Sequence, residues 1–301
     1  MKLDVLVAGE VYIDLILGGF DCWPQPGHEA YATQYHRDIG GGTPITACGL
    51  AMLGTRTGIF GITGCDHHEW IAARLAARGV DTSLLSADPV EPTGISVAVT
   101  GPRDRAFFTY AGVNRHFEAS ARTMPLDGVR HVHLAWAPRW EIVPELCDRI
   151  HSAGCTVSLD AGWHESWLGN PRALDLLRAV DILFPNENEA ARLTCEIEPG
   201  RMLKRFAQAG LPCVALKLGA QGSSLLIEGM MCDAGPHPAT PIDTTGAGDC
   251  FNAGFLHAWL RGESPQRCLA IGNFCGAVSA EAYGGIAGFP SRERLREHLK
   301  I

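Results

Sequence analysis

The chain has 301 residues, 46% of them hydrophobic and 19% charged, with a net charge of −8 at neutral pH. That length suits about two average domains or one large α/β domain, and the apolar share is enough for a substantial core. An acidic chain without a dense Lys/Arg stretch makes a poor nucleic-acid binder, and no apolar run approaches the roughly 20 residues of a membrane span.

In chain order, LDVLVAG (3–9) reads as a buried strand, and its continuation through Asp14 carries too many acids for a signal peptide's core. Residues 28–38 alternate like a half-exposed strand, followed by a helix over 43–53, a strand over 57–64 and a helix over 66–78. Residues 94–110 read as a second half-exposed pair, a hairpin turning at GPRD (101–104). Strands over 131–136, 156–162, 181–186 and 213–219 then alternate with helices over 141–153, 171–179, 187–195 and 200–209. Helices over 249–261, 265–282 and 291–299 close the chain. Buried strands separated by helices predict an α/β fold, a doubly wound and mostly parallel sheet with helices on both faces. The half-exposed strands, inserted at about 11–38 and 92–112, predict a small accessory sheet within a single domain, serving as a lid or a dimer contact. The 11 cysteines are scattered without a CxxC pair, which points to reduced thiols and a cytoplasmic protein. A small molecule is the expected partner, with no nucleic acid and no membrane.

The stretch DTTGAGDCFNAGF (243–255) carries the chemistry. The periodicity starts its helix at Asp249, with Phe251, Phe255 and Trp259 at four-residue spacing on the buried stripe. Gly246, Ala247 and Gly248 ahead of it let backbone N–H groups approach an anion at a helix N-terminus. Asp249 is then either the helix cap or a base for an incoming hydroxyl. The phosphate loop GxxxxGK[ST] is absent, and GxGxxG is incomplete because Phe251 stands at its last glycine. His131 and His133 share one side of a strand without an apparent third ligand and read as packed histidines; His67 and His68 read as surface or cap residues.

DTTGAGD resembles the C-terminal signature of the ribokinase-like (PfkB) carbohydrate kinases, D-T-x-G-A-G-D. Other family motifs follow in order: GEVYID with Asp14, GGG at 40–42 before a helix ending AMLG, NENE at 186–189, KLGAQGS at 217–223, and a late helix with Asn273 ahead of Gly284 and Gly285. The resemblance implies a ribokinase-like fold with a β-sheet lid, Asp249 as general base, and Gly246, Ala247 and Gly248 as anion hole. It implies acceptor contacts at Asp14, Gly40, Gly41, Gly42 and position 45. It implies nucleotide contacts at Asn186, Lys217, Gly219, Gly222, Thr244, Gly246, Gly248 and Asn273. ATP and Mg²⁺ are the implied cofactors, with Asn186 and Glu189 acting on Mg²⁺ mainly through water. For a monovalent cation such as K⁺, the candidate oxygens are those of Asp243, Thr245, Ala280 and Gly285, with Gly288 where ribokinase supplies a hydroxyl.

Three departures stand out. Ile45 replaces the family's sugar-binding asparagine. In DAGWHESW (160–167), Gly162 and His164 stand where Asn and Arg are common. Lys217 stands where threonine is frequent, and faces either a phosphate or solvent. The expected activity is ATP-dependent phosphorylation of a hydroxymethyl group on a sugar or sugar-like molecule. The alternatives are a nucleoside kinase, with Phe107 or Phe108 against a base, and a catalytically weak binding or regulatory homologue. A homodimer through the accessory strands is a further expectation.

Overall fold

The computed structural model describes residues 2–22, 26–100 and 105–299, so the GPRD turn at 101–104 lies outside the described residues. The first strand, β1 (Leu3–Gly9), sits inside the main sheet and alternates its side chains between two cores. Val5 and Val7 join one core and Leu6 and Ala8 the other, all four fully buried. A near-continuous apolar run is what a strand covered on both faces requires.

The smaller sheet is built from β2 (Tyr12–Gly18), β3 (Gln34–Gly40), β6 (Gly94–Thr100) and β7 (Arg105–Tyr110), in the order β3-β2-β6-β7. The main sheet holds the other nine strands: β1, β4 (Thr57–Gly64), β5 (Asp81–Asp88), β8 (Val129–Ala135), β9 (Thr156–Leu159), β10 (Ile182–Leu183), β11 (Cys213–Lys217), β12 (Ser223–Ile227) and β13 (Met230–Ala234). Its order is β13-β12-β11-β10-β9-β8-β1-β4-β5, parallel from β5 to β11, with β12 and β13 antiparallel at one edge. From β1 the chain runs outward to β4 and β5 and then returns to β8 on the other flank. The switch in winding direction therefore falls between β1 and β8, where open α/β sheets hold ligands at the carboxyl ends.

The helices are α1 (Gly42–Met52), α2 (His68–Ala76), α3 (Phe117–Ala121), α4 (Val143–Ser152), α5 (Glu165–Leu168), α6 (Ala173–Leu176), α7 (Glu187–Thr194), α8 (Pro199–Gln208), α9 (Ala247–Trp259), α10 (Pro265–Ser279) and α11 (Arg292–Leu299). Side chains of α1, α2, α9 and α10 fill one core, and those of α3 through α8 fill the other. Glycines let α10 close on α9: a Cβ on Gly276 would stand 2.8 Å from the Ala247 carbonyl oxygen, and one on Gly254 2.8 Å from Cys275 Sγ. The first turn of α9 is thus backed directly by α10.

Several expectations are corrected. The strand expected over 28–38 occupies Gln34–Gly40, and residues 28–33 are irregular and mostly exposed. The helix expected over 171–179 breaks into α6 and a 3₁₀ turn over Leu177–Ala179. β5, β12 and β13 were absent from the apolar pattern. β5 is half-exposed or exposed at all but one position and β13 is an edge strand with Met230 64% exposed, so neither needs an apolar run; β12 is buried, but its short run opens on two serines. The helix expected to begin at Asp249 begins at Ala247, with Gly246 at φ 73° as its N-cap residue. A left-handed backbone there suits glycine.

Candidate active site

Two glycines of the β3–α1 junction make room for two carboxylates. A Cβ on Gly40 would lie 1.9 Å from Asp14 Cγ, and one on Gly42 would lie 2.8 Å from Asp249 Oδ1. Gly41, at φ 88°, turns the chain between them and is the N-cap residue of α1. Asp14 projects from β2 and Asp249 from the first turn of α9, so the bare junction brings the two elements to one cavity. Burial first, and then Asp243 and Asp38, push Asp14 up to about 7. In the acceptor role that the family resemblance implies for Asp14, Gly40→Ala is expected to displace its carboxylate and raise the acceptor KM about ten- to a hundredfold, the loss of a charged hydrogen bond. Steady-state titration checks it, with the KM for ATP as the internal control; an unchanged acceptor KM would remove Asp14 from the acceptor site.

The first turn of α9 separates two cavities. One, of about 310 Å³, is lined by Glu10, Tyr12, Asp14, Gly41, Gly42, Ile45, Ser96, Phe107, Thr109, Thr245, Gly246 and Asp249. The other, of about 450 Å³, is lined by Lys217, Gly219, Gly222, Thr244, Ala247, Gly248, Phe251, Asn273 and a run of proline and alanine residues. Gly246 and Asp249 face one, Ala247 and Gly248 the other. The helix N-terminus between them carries positive dipole charge and N–H groups without a partner inside the helix, although the Ala247 N–H donates to the Thr244 carbonyl at 3.2 Å. Asp249 makes no side-chain capping bond. Its carboxylate is therefore not the N-cap, because the chain turns at Gly246 and makes Asp249 the third residue of the helix.

Burial and the neighbouring Asp160 push Asp249 up to about 7, with Glu189 and Asp14 adding to the effect and Lys217 opposing it. Lys217, the last residue of β11, is only 11% exposed in its side chain and donates to Asp160 Oδ2 at 2.6 Å. It faces the larger cavity rather than open solvent. Asn252, fully buried one turn beyond Asp249, donates to the same Asp160 oxygen at 2.6 Å. Burial opposes charge on both partners of the ion pair, but the Lys217 ammonium holds Asp160 below its ordinary value, and Asp160 and Glu189 hold Lys217 above its own. Gly162, at φ 61°, donates its backbone N–H to Asp160 Oδ1 at 3.0 Å and so helps to hold the carboxylate. Farther along the segment, Trp140 and Trp167 stack at 3.8 Å, and the Trp167 indole N–H bonds the Pro138 carbonyl.

Asn186 and Glu189 form a reciprocal cap on α7. The Asn186 side chain accepts from the Glu189 N–H, and the Glu189 carboxylate accepts from the Asn186 N–H at 2.8 Å and its amide at 2.6 Å. Glu189 is 5% exposed, and burial together with Asp160 pushes it up to about 7. Asn273 lines the larger cavity, while its amide holds the Ala234 and Gly235 carbonyls. Gly222, at φ 92°, passes so close to the end of β13 that a Cβ would lie 2.3 Å from the Ala234 oxygen.

Ile45 is 3% exposed and wedges against the backbone of Gly246 and Gly285, where a Cβ on either glycine would come within 2.8 Å of its Cδ1. Among the four cation candidates, the Ala280 oxygen accepts from the Ile242 and Asp243 N–H groups, and the Gly285 oxygen accepts from Cys250 Sγ. The Asp243 carboxylate accepts from Thr245 and Gly284. His131 and His133 are fully buried and share the Ser158 hydroxyl, as packed histidines should. Burial pushes them down to about 3 and about 4 respectively. His68 bonds the Thr63 hydroxyl.

Sequence reasoning missed Glu10, Tyr12, Asp160 and Asn252 as site residues. Tyr12 donates to Glu10 at 2.8 Å, and burial raises the Glu10 carboxyl despite that bond and the nearby His164. Asp160 follows a parallel strand at its carboxyl end, a position that could have marked it. Asn252 lies inside a helix, where no local signal sets it apart.

The arrangement has known counterparts. The structure of Arabidopsis thaliana ribokinase complexed with ribose and ATP superposes with a TM-score of 0.84 at 27% identity, over the full length of both chains. The 2-dehydro-3-deoxygluconokinase of Bacillus subtilis is 28% identical, covering 99% of this chain and 96% of the relative. The nucleoside kinase of Methanothermobacter thermautotrophicus is 27% identical, covering 92% and 88%. These likenesses define the class as a ribokinase-like kinase of sugars or nucleosides. The pattern of the pfkB family carbohydrate kinases matches residues 2–292, and the chain belongs to that family. Membership makes it an ATP-dependent kinase and implies the use of Mg²⁺. No helix among the described residues is long and apolar enough to cross a membrane.

Proposed function

We propose that the protein transfers the γ-phosphoryl group of ATP to a hydroxymethyl group of a sugar or sugar-like acceptor. The observation that carries the proposal is the pair of cavities divided by the first turn of α9, with Asp249 on one side and Ala247 and Gly248 on the other. The acceptor binds in the smaller cavity, where the Asp14 carboxylate accepts bonds from its hydroxyls. Asp249 takes the hydroxyl proton as the oxygen forms its bond to phosphorus. The bond from phosphorus to the β–γ bridging oxygen breaks, and ADP leaves with that electron pair. The N–H groups of Gly246, Ala247 and Gly248 serve the charge on the transferred group, that of Ala247 by leaving the Thr244 carbonyl it meets at 3.2 Å.

The purine fits the apolar wall of the larger cavity near Phe251, Asn273 and Ala277. No cluster of three or more acidic, histidine or cysteine residues suited to direct metal ligation occurs among the described residues. Asn186 and Glu189 would therefore act on Mg²⁺ through water, and the ion, when bound, neutralises phosphate charge. The smaller sheet acts as a lid: Ser96 of β6 and Phe107 and Thr109 of β7 already line the acceptor cavity. Closure over it limits transfer to water.

A nucleoside acceptor is the second reading, favoured by Phe107, an aromatic wall 48% exposed in the same cavity. A monovalent cation beside Asp243, Thr245, Ala280 and Gly285 would compete with the hydrogen bonds already made to the Ala280 and Gly285 oxygens. The edge strands β3 and β7 offer a dimer contact, and light scattering showing a monomer at working concentration would remove it.

ADP release, measured over sugars, sugar acids and nucleosides with Mg²⁺ and with or without K⁺, tests the proposal. Release with a sugar or sugar acid supports it, and release with nucleosides alone selects the second reading. Acceptor binding that raises Tm without ADP release would mean a binding homologue instead.

A further inference from the structure

Lys217 does more than balance a buried charge. Its ammonium stands where β11 ends, on the wall of the larger cavity, and among the described residues lining that cavity it is the one lysine or arginine. His237 and the polar side chains of Thr244 and Asn273 share that wall, while the carboxylates of Asp160, Glu189 and Asp249 stand behind it within electrostatic reach of Lys217. An ammonium has three protons to donate. Asp160 Oδ2 takes one at 2.6 Å, and Asn252 Oδ1 lies at 3.5 Å beside another. Asn252 also donates to Asp160, so the three side chains form a closed, buried triangle. The remaining direction opens toward Gly248: a Cβ on that residue would lie 3.4 Å from Lys217 Nζ. Glycine therefore leaves the ammonium in reach of whatever sits at the first turn of α9.

We propose that Lys217 contacts the transferred phosphoryl group at the first turn of α9, with Asp160 and Asn252 as the positioning residues that aim its ammonium. The inference rests on the kinase reading above. It assigns to the cavity a terminal phosphate as the group that Lys217 recognises. A diphosphate, lacking that group, meets the ammonium less directly. Lys217 adds no proton transfer to the reaction; it offsets charge on the phosphoryl oxygens while the new bond forms and the old one breaks. Asp160, held by Gly162, Asn252 and Lys217, keeps its own charge away from the phosphate by spending it on the ammonium.

The competing account is a purely structural ion pair. A buried pair can often be replaced by apolar or neutral groups of similar shape without loss of stability, whereas removing one partner leaves a stranded charge. The decisive protein is thus the double variant Lys217→Met with Asp160→Asn, which removes both charges and stays foldable where Lys217→Met alone fails. Binding of AMP-PNP and of ADP, each with Mg²⁺, is measured by calorimetry for wild type and variants, together with kcat for an acceptor found active.

The expected result is an AMP-PNP Kd raised about tenfold or more in the double variant, with the ADP Kd changed less than about threefold. The kcat should fall about a hundred- to a thousandfold, as for removal of one oxyanion donor. Asp160→Asn alone should lower kcat about tenfold, less than the double variant, because it acts through Lys217 and leaves the ammonium in place. A double variant that binds AMP-PNP within twofold of wild type overturns the proposal and leaves the kinase reading standing. Wild-type protein that binds neither nucleotide overturns both.

Discussion

Asp249→Asn is expected to lower kcat by about a hundred- to ten-thousandfold, the usual effect of removing a positioned base. The KM for ATP should stay within about twofold. Asparagine keeps the shape of the side chain beside Gly42 but cannot take a proton. The surroundings argue for a base rather than a capping residue. Gly246 already turns the chain into α9, and Asp249 makes no capping bond, so no local structural need holds the carboxylate in place. It stays beside a helix N-terminus, on the wall of the smaller cavity, with its oxygen so near Gly42 that a side chain there would collide with it. Initial rates at saturating acceptor, with nucleotide affinity measured separately, check the expectation. A variant that keeps kcat within tenfold would place the base elsewhere.

The second large effect is on pH. Burial and the nearby Asp160 bring Asp249 to about 7, and burial with Asp243 brings Asp14 to about 7. Both act as carboxylates in the proposed reaction, and kcat/KM reports the free enzyme. It should therefore fall by ten- to a hundredfold per pH unit below about 7, the steeper value when both groups must be ionised. A flat kcat/KM from pH 8 to pH 5.5 would contradict this.

The stability effect has the opposite sign. A carboxylate raised in the folded state binds protons there that the unfolded chain has already lost. Its contribution is fully present below the ordinary value of 3.8 and is lost as pH rises to about 7. Asp249→Asn should accordingly raise stability at pH 8 by about 2 kcal/mol, a familiar exchange of function for stability. The gain should shrink as pH is lowered from 7 toward 4. Thermal unfolding across that range checks the sign.

The strand and helix alternation, the approximate ends of most elements and the order of the family motifs were all readable in the chain. Buried parallel strands advertise themselves by continuous apolar runs, and glycines needed for backbone turns or close approach are plain in any sequence. β5 and β13 were not readable because half-exposed and edge strands carry no such run, and β12 because its buried stretch is short and opens on two serines. The start of α9 was misplaced because a glycine in the left-handed region can end a loop as well as an aspartate can cap a helix. That choice depends on how Gly246 packs on Gly285 and Ile45.

The residues that share one ion pair, Lys217 and Asp160, lie 57 positions apart, and Asn252 and Lys217 lie 35 apart. Local pattern cannot show that β9, β10 and β11 run side by side and deliver them to one point. The sequence by itself determined the family, the parallel sheet and the glycine-rich helix start, since each depends on short-range chemistry. Only the tertiary structure decided that Lys217 is buried against Asp160, that Glu189 is tied to Asn186, and that Asp249 stands at about 7. Burial and neighbouring charge set those properties, and both arise from the packing of elements remote along the chain.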